Sequence, residues 1–451
     1  MYLASIVLFA IHSPVAWAGP LTGEISVLSV AEDGGFSNDV AIKSDRFFVV
    51  GEASDVGGDD VGVFARVFDL GGVPPAPEAR VNEITAGSQD VVALASTESG
   101  AIVLWCSEGE DADGWAVVGR FLDLDGNAIS GNFPVNEAAA GDQCSPGIAV
   151  LDDGRFLAVW ETANLDERRV SARLFDADGD PVTGDIAVRA TPANEGEARP
   201  DVATNGADTF VVVWMNTGDT PDLPRMTGRL FDTGGAFTGP EFDIDQTIAP
   251  TFHTMPRVAM AQNGDFIVAW ATAQDDSAPR GIWAQRFDAL GEPLGMSEVV
   301  SDNADVDQIY PDVAMNGGGL TMFAWSADAG TGDDEQERRQ DILATWWDEN
   351  GLRVGDVFTV NEQVDWSQQL PRVDVSDDSV GAVVWSTYNE SSGAISPSAR
   401  LFISDQTDDD TDDDLDDDDD SDDDSDDDAD DDTDDDIATN DDEDDDDGCG
   451  C

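Results

Sequence analysis

The sequence has few of the residues on which many catalytic and metal sites depend. Its 451 residues include two His, three Tyr and four Cys, and the two His are His12 and His253. A Ser or Cys nucleophile paired with a His base is nearly excluded, because His12 lies in an apolar N-terminal segment. No Cys and His cluster has the spacing of a zinc site. We therefore assign no catalytic, cofactor-binding or metal-binding residue from the sequence.

Positive charge is also scarce. The chain has 21 Lys and Arg against 97 Asp and Glu, a formal net charge of −76, and Lys occurs once, at Lys43. This balance excludes binding of nucleic acid or of an anionic membrane through a basic face. Beyond the N-terminal segment, no run approaches the ~18 apolar residues needed to span a bilayer. We expect no nucleic-acid partner and no transmembrane segment.

The feature that the sequence does have is a repeat, clearest from Pro256 to Leu294. It predicts a short first strand opened by Pro, an apolar second strand that ends in Trp, a polar loop, and a third strand that ends in Arg-Phe-Asp before a Gly-containing turn. A short fourth strand follows. Copies of the first strand begin at Asp39, Asp90, Pro146, Pro200, Pro256, Pro311 and Pro371. Second strands end at Trp105, Trp160, Trp214, Trp270, Trp325 and Trp385.

Four strands per repeat and a period of about 55 residues predict a β-propeller, because one small sheet cannot bury both of its faces alone. The seventh copy lacks a fourth strand, and a strand-like segment precedes the first copy. That N-terminal strand would complete the last blade and remove two exposed sheet edges. We therefore predict an all-β, seven-bladed propeller over residues 23–404. The expected blades are 37–88, 89–143, 144–198, 199–254, 255–309, 310–368 and 369–404, the last with the strand 24–30.

The Trp and Arg-Phe-Asp pattern resembles the propeller repeats of many exported bacterial proteins. The resemblance covers roughly Gly23 to Ser404, and it implies an extracellular propeller without catalytic residues to carry over. One buried Trp per blade indicates packing between sheets, with a ring of sugar-binding Trp as the alternative. The recurrent Arg is expected to pair with carboxylates of the same or the next blade.

The N-terminal segment, residues 1–18, has the pattern of a secretory signal. An apolar stretch is followed by Ala16-Trp17-Ala18, which predicts cleavage between Ala18 and Gly19. The alternative is an ordinary buried strand. Export would permit a disulfide between Cys106 and Cys144, which the propeller places at the same end of neighbouring blades, whereas two unpaired thiols are the alternative. We expect an exported monomer, extracellular or on the outer cell surface.

The tail, residues 405–451, is predicted to be disordered. From Asp408 to Asp447, 29 of the 40 residues are Asp and one is Glu, so the segment repels itself and can bury no apolar surface. Its end, Gly448-Cys449-Gly450-Cys451, resembles the start of the C-terminal sorting signals of myxobacteria-like surface proteins. The resemblance makes Cys449 and Cys451 candidate anchors, with an unanchored end as the alternative.

Two turns, Asp123 to Gly126 and Asp176 to Gly179, have the pattern Asp-x-Asp-Gly. Hairpin chemistry explains them best, and weakly bound Ca²⁺ is the alternative, because a full calcium loop needs six or more oxygen ligands. The loops between second and third strands are acidic and variable. Examples are residues 108–113, 164–169, 219–225, 274–276 and 332–339.

These features favour a protein that is not an enzyme. We expect a secreted or surface binding and scaffold module, with the Asp-rich tail as a spacer and an unknown extracellular protein or glycan as partner. Two alternatives remain. One is a carbohydrate-active enzyme, which requires two inward carboxylates with raised pKa in the central channel. The other is an acidic protein that collects cations through its tail.

Overall fold

The computed structural model describes residues 16–28, 35–54, 61–111, 113–163, 168–189, 196–216, 225–245, 252–273, 279–302, 305–329 and 339–405. The chain divides into two units, Met1–Asp408 and Asp409–Cys451. The second unit lies outside the described residues, as do Cys449, Cys451 and most of the acidic loops between second and third strands. Among the described residues, no helix is long and apolar enough to cross a membrane.

The described part of the first unit is built from β-strands alone. The N-terminal strands and the first two blades comprise β1 (Ala16–Pro20), β2 (Ile25–Ser26), β3 (Asn38–Lys43), β4 (Arg46–Ser54), β5 (Val61–Asp69), β6 (Ala79–Arg80), β7 (Gln89–Thr97), β8 (Gly100–Glu108), β9 (Trp115–Asp123) and β10 (Phe133–Pro134). Blade 1 is β3 to β6 and blade 2 is β7 to β10, each a four-stranded antiparallel meander.

Blades 3 to 5 repeat this plan. Their strands are β11 (Asp142–Val150), β12 (Phe156–Ala163), β13 (Arg168–Phe175), β14 (Ile186–Ala187), β15 (Glu197–Thr204), β16 (Thr209–Asn216), β17 (Arg225–Asp232), β18 (Phe242–Asp243), β19 (Phe252–Met260), β20 (Phe266–Ala273), β21 (Gly281–Phe287) and β22 (Glu298–Val299). His253 lies in β19.

Blades 6 and 7 complete the ring. Their strands are β23 (Gln308–Met315), β24 (Thr321–Asp328), β25 (Gln340–Trp347), β26 (Arg353–Thr359), β27 (Ser367–Val375), β28 (Val380–Tyr388) and β29 (Ile395–Asp405). In blade 7 both N-terminal strands pair with β29, Gly19 opposite Ile403 and Ile25 opposite Ala399. The predicted seven-bladed propeller is confirmed, and its closure by an N-terminal strand is consistent with this sheet.

The predicted packing role of the recurrent Trp is confirmed. Trp105, Trp160, Trp214, Trp270, Trp325 and Trp385 are all at most 1% exposed and lie in the apolar layers between blades. Blade 1 has Gly51 in this position. Three of the indoles, in blades 2, 6 and 7, donate Nε1–H to a Gln at the start of the first strand, as Trp325 does to Gln308 at 2.8 Å.

The Arg and Asp of the third strands hold neighbouring blades and hairpins together. Five Arg donate to a backbone carbonyl of the preceding blade; the pairs are Arg66 with Val27, Arg120 with Val81, Arg173 with Val135, Arg229 with Val188, and Arg400 with Val360. Carboxylates of the same or the preceding blade lie beside them, such as Glu83 at 2.9 Å from Arg120. We call these five residues the Arg latches.

The hairpin interpretation of the Asp-x-Asp-Gly turns agrees with the hydrogen bonds. Oδ1 of Asp123 accepts the backbone N–H groups of Asp125 and Asn127, and Asp176 does the same for Asp178 and Asp180. Turns of blades 1, 4, 5 and 6, which lack the second Asp, use their first Asp in the same way, as Asp288 does. The Asp of Arg-Phe-Asp therefore shapes the hairpin.

Candidate active site

The first strands of all seven blades surround a central cavity of about 510 Å³. Because neighbouring strands are antiparallel, the start of each first strand and the end of each second strand lie at the same end of the propeller. We call this end the entrance. The cavity has the size of a small-ligand pocket, and it is lined by residues from every blade.

Six of the first strands carry a β-bulge near the entrance, and each bulge holds a non-glycine residue with a positive φ. These residues are Val91 (47°), Ser145 (54°), Arg199 (52°), Met255 (59°), Tyr310 (54°) and Leu370 (54°), and all six line the cavity. Bulges re-aim side chains, and non-glycine residues rarely keep this backbone conformation without support. We call the six residues the bulge ring. In blade 1, β3 pairs with β4 in unbroken register.

The preceding blade supports several of these bulges. The backbone N–H of Val91 donates to Glu52 Oε1 at 2.6 Å, and that of Arg199 donates to Glu161 Oε1 at 2.6 Å. Both Glu residues follow the Trp position of a second strand. In blade 2 that position is Cys106, which forms a disulfide with Cys144, the residue before Ser145. The residue that follows the Trp position therefore holds the bulge of the next blade in two ways: Glu52 and Glu161 accept a hydrogen bond from it, and Cys106 forms a disulfide beside it.

Just inside the bulge ring, the blades differ in charge. The residue two positions after each bulge residue, together with its blade 1 counterpart Asp39, forms the series Asp39, Ala93, Gly147, Asp201, Arg257, Asp312 and Arg372 in blade order. Asp and Arg thus alternate from blade 4 through blade 7 to blade 1. We call Asp201, Arg257, Asp312, Arg372 and Asp39 the charged arc. Blades 2 and 3 leave an uncharged gap, lined by Ala93 and Gly147.

The arc is linked by ion pairs and by backbone hydrogen bonds. Arg257 lies between two carboxylates, with Nη1 3.5 Å from Asp201 Oδ1 and Nε 3.5 Å from Asp312 Oδ1. Because a planar guanidinium is only a few ångströms wide, these two oxygens are roughly 9 Å apart or less. Each arc Asp also accepts a backbone N–H of the next first strand. The donors are Leu94 to Asp39, Val258 to Asp201 and Val373 to Asp312, at 2.7 to 2.8 Å.

A fourth carboxyl lies one layer deeper. Asp374 occupies a position where the other blades have Ala41, Ala95, Ala149, Ala203, Ala259 and Ala314. Its Oδ2 accepts the N–H of Ile42 at 2.6 Å, which joins blade 7 to blade 1. The channel therefore holds four carboxyls and two guanidinium groups.

Burial shifts the acidity of these carboxyls. Loss of hydration raises the pKa of Asp39 to about 7, the charge of Arg372 opposes this increase, and the nearby Asp312 adds to it. Burial also raises the pKa of Asp201, Asp312 and Asp374. Asp312 has both Arg372 and Arg257 as opposing charges. A carboxyl with a pKa near 7 can donate a proton at neutral pH.

A second carboxyl pair lies beside the entrance. Glu52 is 3% exposed, and burial and a hydrogen bond with Asp90 raise its pKa well above the usual value. Glu52, Asp90 and Arg372 line an adjoining cavity of about 490 Å³. The adjoining cavity reaches blade 1, the blade without a bulge residue.

Sequence reasoning did not identify these channel residues. The signal was present in the residue that directly follows the strand-opening Pro, which is Asp201, Arg257, Asp312 or Arg372 in blades 4 to 7. The predicted cleavage position, Ala18 and Gly19, lies within β1. No group of three or more His, Cys, Asp or Glu within the described ranges could hold a metal ion. Weak Ca²⁺ binding stays a prediction.

No family model matches the chain. No curated protein matches its sequence. Solved structures with a similar fold include the polysaccharide lyase Uly1, with 9% identity and a TM-score of 0.53 over 82% of this chain and 90% of that chain. An alpha-L-arabinofuranosidase from Fusarium graminearum has 12% identity and a TM-score of 0.48 over 70% and 93% of the two chains. An alpha-L-arabinanase from Penicillium chrysogenum has 10% identity and a TM-score of 0.41 over 84% and 97%.

These findings correct the expectation of a non-catalytic binding module that is not an enzyme. At 9% identity the similarity to Uly1 shows the fold, and the lyase activity belongs to Uly1. Uly1 is nevertheless a carbohydrate-active enzyme, the class of protein that the alternative named. The channel also contains the inward carboxyls with raised pKa that this alternative requires. The first interpretation was wrong because it weighed the repeated positions, which are structural, and overlooked the positions that differ.

Proposed function

We propose that the protein is a glycoside-cleaving enzyme whose active site is the charged arc in the central channel. The observation that carries the proposal is the meeting of several carboxyls of raised pKa, with two Arg among them, on one cavity of about 510 Å³. Hydrolysis of a glycosidic bond needs one carboxyl that holds a proton and one that does not.

Asp39 is the proposed general acid and Asp312 the proposed general base. Asp39 has Arg372 as the largest charge opposing the loss of hydration, with Arg257 a smaller one, and its pKa of about 7 leaves it protonated in much of the neutral range. Burial raises the pKa of Asp312 too, but Arg372 and Arg257, the latter with Nε 3.5 Å from Asp312 Oδ1, favour its ionised form. The two carboxyls thus differ in charge environment in the direction that the two roles demand.

The proposed reaction balances without a cofactor. Asp39 donates its proton to the glycosidic oxygen as the bond from that oxygen to the anomeric carbon breaks. Asp312 accepts a proton from a water molecule whose oxygen bonds to the anomeric carbon. The products are one sugar with a new reducing end at the anomeric carbon and one with a free hydroxyl group, and proton exchange with solvent returns both carboxyls to their starting states.

The arrangement favours an uncharged sugar at the point of cleavage. Arg257 and Arg372 are already engaged with the carboxyls of the arc, so neither offers a free positive charge to an acidic sugar deep in the channel. The uncharged gap lined by Ala93 and Gly147 leaves space for that sugar. A Cβ on Gly147 would lie 3.0 Å from Val159 Cγ2, so larger side chains are not accommodated there without movement.

Export, cleavage between Ala18 and Gly19, and retention through Cys449 or Cys451 belong to the same proposal, since polymeric glycans are met outside the cell. Intact mass of the chain recovered from medium and envelope tests them. A chain that begins at Gly19 supports export, and a lipid-sized increase on Cys449 or Cys451 supports anchoring. An unprocessed, unmodified chain in the cytoplasm would contradict both.

The experiment for the activity incubates the full-length protein with a panel of uncharged and acid-bearing glycans, including arabinan and xylan, and measures new reducing ends. Asp39→Asn and Asp312→Asn should each lower the rate by about 10²- to 10⁴-fold, the usual contribution of an acid or base. Asp178→Asn, at an exposed hairpin, is the matched control and should not change it. No release from any glycan, or release that is equal in Asp39→Asn, would contradict the proposal.

A further inference from the structure

Arg199 differs from the other arginines that line the cavity. Arg257 has carboxylates within 4 Å, and Arg372 interacts electrostatically with Asp312 and Asp39. Arg199 is exposed at the entrance, and in the described part of the chain no carboxylate lies within ion-pair distance of its guanidinium. The protein has 97 acidic residues and 21 Lys and Arg, so a cavity-lining Arg without a carboxylate partner is notable.

The backbone at Arg199 is held in a strained conformation. Its φ is 52°, and Pro200 follows it. Residues before Pro favour extended conformations, and a positive φ favours Gly. Glu161 stabilises the conformation through the backbone N–H at 2.6 Å, a bond that any residue at this position could make. The bulge therefore accounts for the backbone but does not require an Arg side chain.

We propose that Arg199 binds an anionic group, a carboxylate or a sulfate, of the glycan at the entrance of the channel. The planar guanidinium can donate two parallel hydrogen bonds to such a group. Tyr310 and Met255, the bulge-ring residues of the next two blades, offer an aromatic and an apolar surface for a sugar ring. The inference rests on the proposed function for the identity of the ligand as a glycan.

The charges of the arc and of Arg199 indicate where the acidic group of the glycan binds. The charged arc disfavours an acidic sugar at the cleavage point, whereas Arg199 favours one at the entrance, two residues from Asp201 along β15. The substrate class is then a glycan in which an acid-bearing residue neighbours an uncharged one. Arg199 would determine specificity without touching the reacting atoms.

The test measures binding of three matched probes to the full-length protein by calorimetry at physiological ionic strength. The probes are xylotriose, xylotriose with one glucuronate, and xylotriose with one sulfate ester. The wild type should bind at least one acidic probe at least tenfold more tightly than xylotriose. Arg199→Gly should lose that preference, and Arg199→Lys should keep part of it. Arg225→Ala, at an exposed position of the same blade, should bind like the wild type.

Thermal unfolding distinguishes recognition from a structural role. Arg199→Gly relieves the positive φ, so its Tm should equal or exceed that of the wild type. A lower Tm together with an unchanged preference would assign Arg199 to the fold and overturn the inference. Equal binding of the three probes, or binding of neither acidic probe, would also overturn it. Whichever of the glucuronate and sulfate probes binds more tightly identifies the anionic group as a carboxylate or a sulfate.

The experiments distinguish a failure of the proposed binding by Arg199 from a failure of the proposed cleavage. Asp39→Asn should retain the preference for the acidic probe while releasing product about 10²- to 10⁴-fold more slowly than the wild type. Arg199-dependent binding without product release from any glycan would leave this inference standing and contradict the proposed hydrolysis. Product release that does not depend on Arg199 would support the proposed hydrolysis and contradict this inference.

Discussion

The outer part of each blade and the innermost strand obey different rules. In the outer part, the same residue types recur from blade to blade and make the same contacts, as the Arg latches and the hairpin Asp residues do. In the innermost strand, equivalent positions hold Asp, Ala, Gly or Arg. Positions that hold the same residue type in most blades serve packing. Positions that vary on the same backbone serve a role that only one part of the ring has.

The largest expected effect comes from a repeated core position. Trp325→Ala should lower the free energy of unfolding by ~3 to 5 kcal/mol, because it removes a fully buried indole and the hydrogen bond that its Nε1–H donates to Gln308 Oε1. Trp325→Phe, which keeps the ring contact, should cost less. Urea unfolding measures both. A loss below ~1 kcal/mol for Trp325→Ala would remove the basis for treating repeated positions as packing positions.

The next effect concerns the charged arc and pH. The folded state keeps a proton on Asp39 up to about pH 7, whereas the unfolded chain loses it near the ordinary Asp value of 3.8. Stability should therefore fall as pH rises through this window and level off above it, by at most ~4 kcal/mol for this group. Asp201, Asp312 and Asp374 act in the same direction.

Urea unfolding at pH 5 and pH 8 measures this dependence. Asp39→Asn should flatten part of the slope while keeping an oxygen acceptor for the Leu94 N–H. Asp178→Asn should leave the slope unchanged. Stability that increases from pH 5 to pH 8 would show that the channel carboxyls are ionised in the folded state.

The Arg latches should have a smaller effect. Arg400→Ala removes hydrogen bonds to Val360 O at 2.9 Å and Thr22 O at 3.1 Å, and with them a link between blades 6 and 7 and the N-terminal segment. We expect a loss of ~1.5 to 3 kcal/mol, the range for a charged donor. Arg46→Ala, which removes exposed contacts with Asp125 and with Leu124 O, should cost clearly less, because solvent screens these contacts. Equal losses in the two variants would contradict a latch.

The smallest effect is expected at a hairpin. Asp288→Ala removes an acceptor of the Leu290 and Glu292 N–H groups, both at 2.9 Å, at an exposed turn. A loss of ~0.5 to 1.5 kcal/mol is expected from thermal or urea unfolding. Asp288→Asn, which keeps the acceptor, should restore most of it, and failure to do so would mean that the turn does not depend on this oxygen.

The repeated features could be predicted from the sequence, because the same residue types recur in each copy and make the same local contacts. Seven copies of an apolar strand ending in Trp, or in Gly51 in blade 1, indicate seven sheets that share buried layers. The missing fourth strand of the last copy, together with the segment near Ile25, indicates how the ring closes. The partner of Arg400 was predicted only in part, since a carboxylate was expected and the backbone carbonyl of Val360 was not.

The channel could not be predicted in the same way. Asp201 and Arg257 are 56 residues apart and meet only because the ring places their blades side by side. The pKa of Asp39 is set by burial, which raises it, and by Arg372, a residue far away in the sequence, which opposes the increase. The positive φ of Arg199 follows from a bulge, which strand patterns do not reveal. Aligning the residue after each strand-opening Pro would have shown the alternation of charge, but not that these side chains share a cavity.

The most direct test of the central claim is the pH dependence of glycan cleavage by the wild type and by Asp39→Asn. If Asp39 is the acid, the wild-type rate should fall above about pH 7, where the carboxyl loses its proton. In Asp39→Asn the remaining rate should be low and should lack that decline. A rate that keeps increasing above pH 7, or an Asp39→Asn variant with the wild-type profile, would contradict the claim that the channel carboxyls do the chemistry.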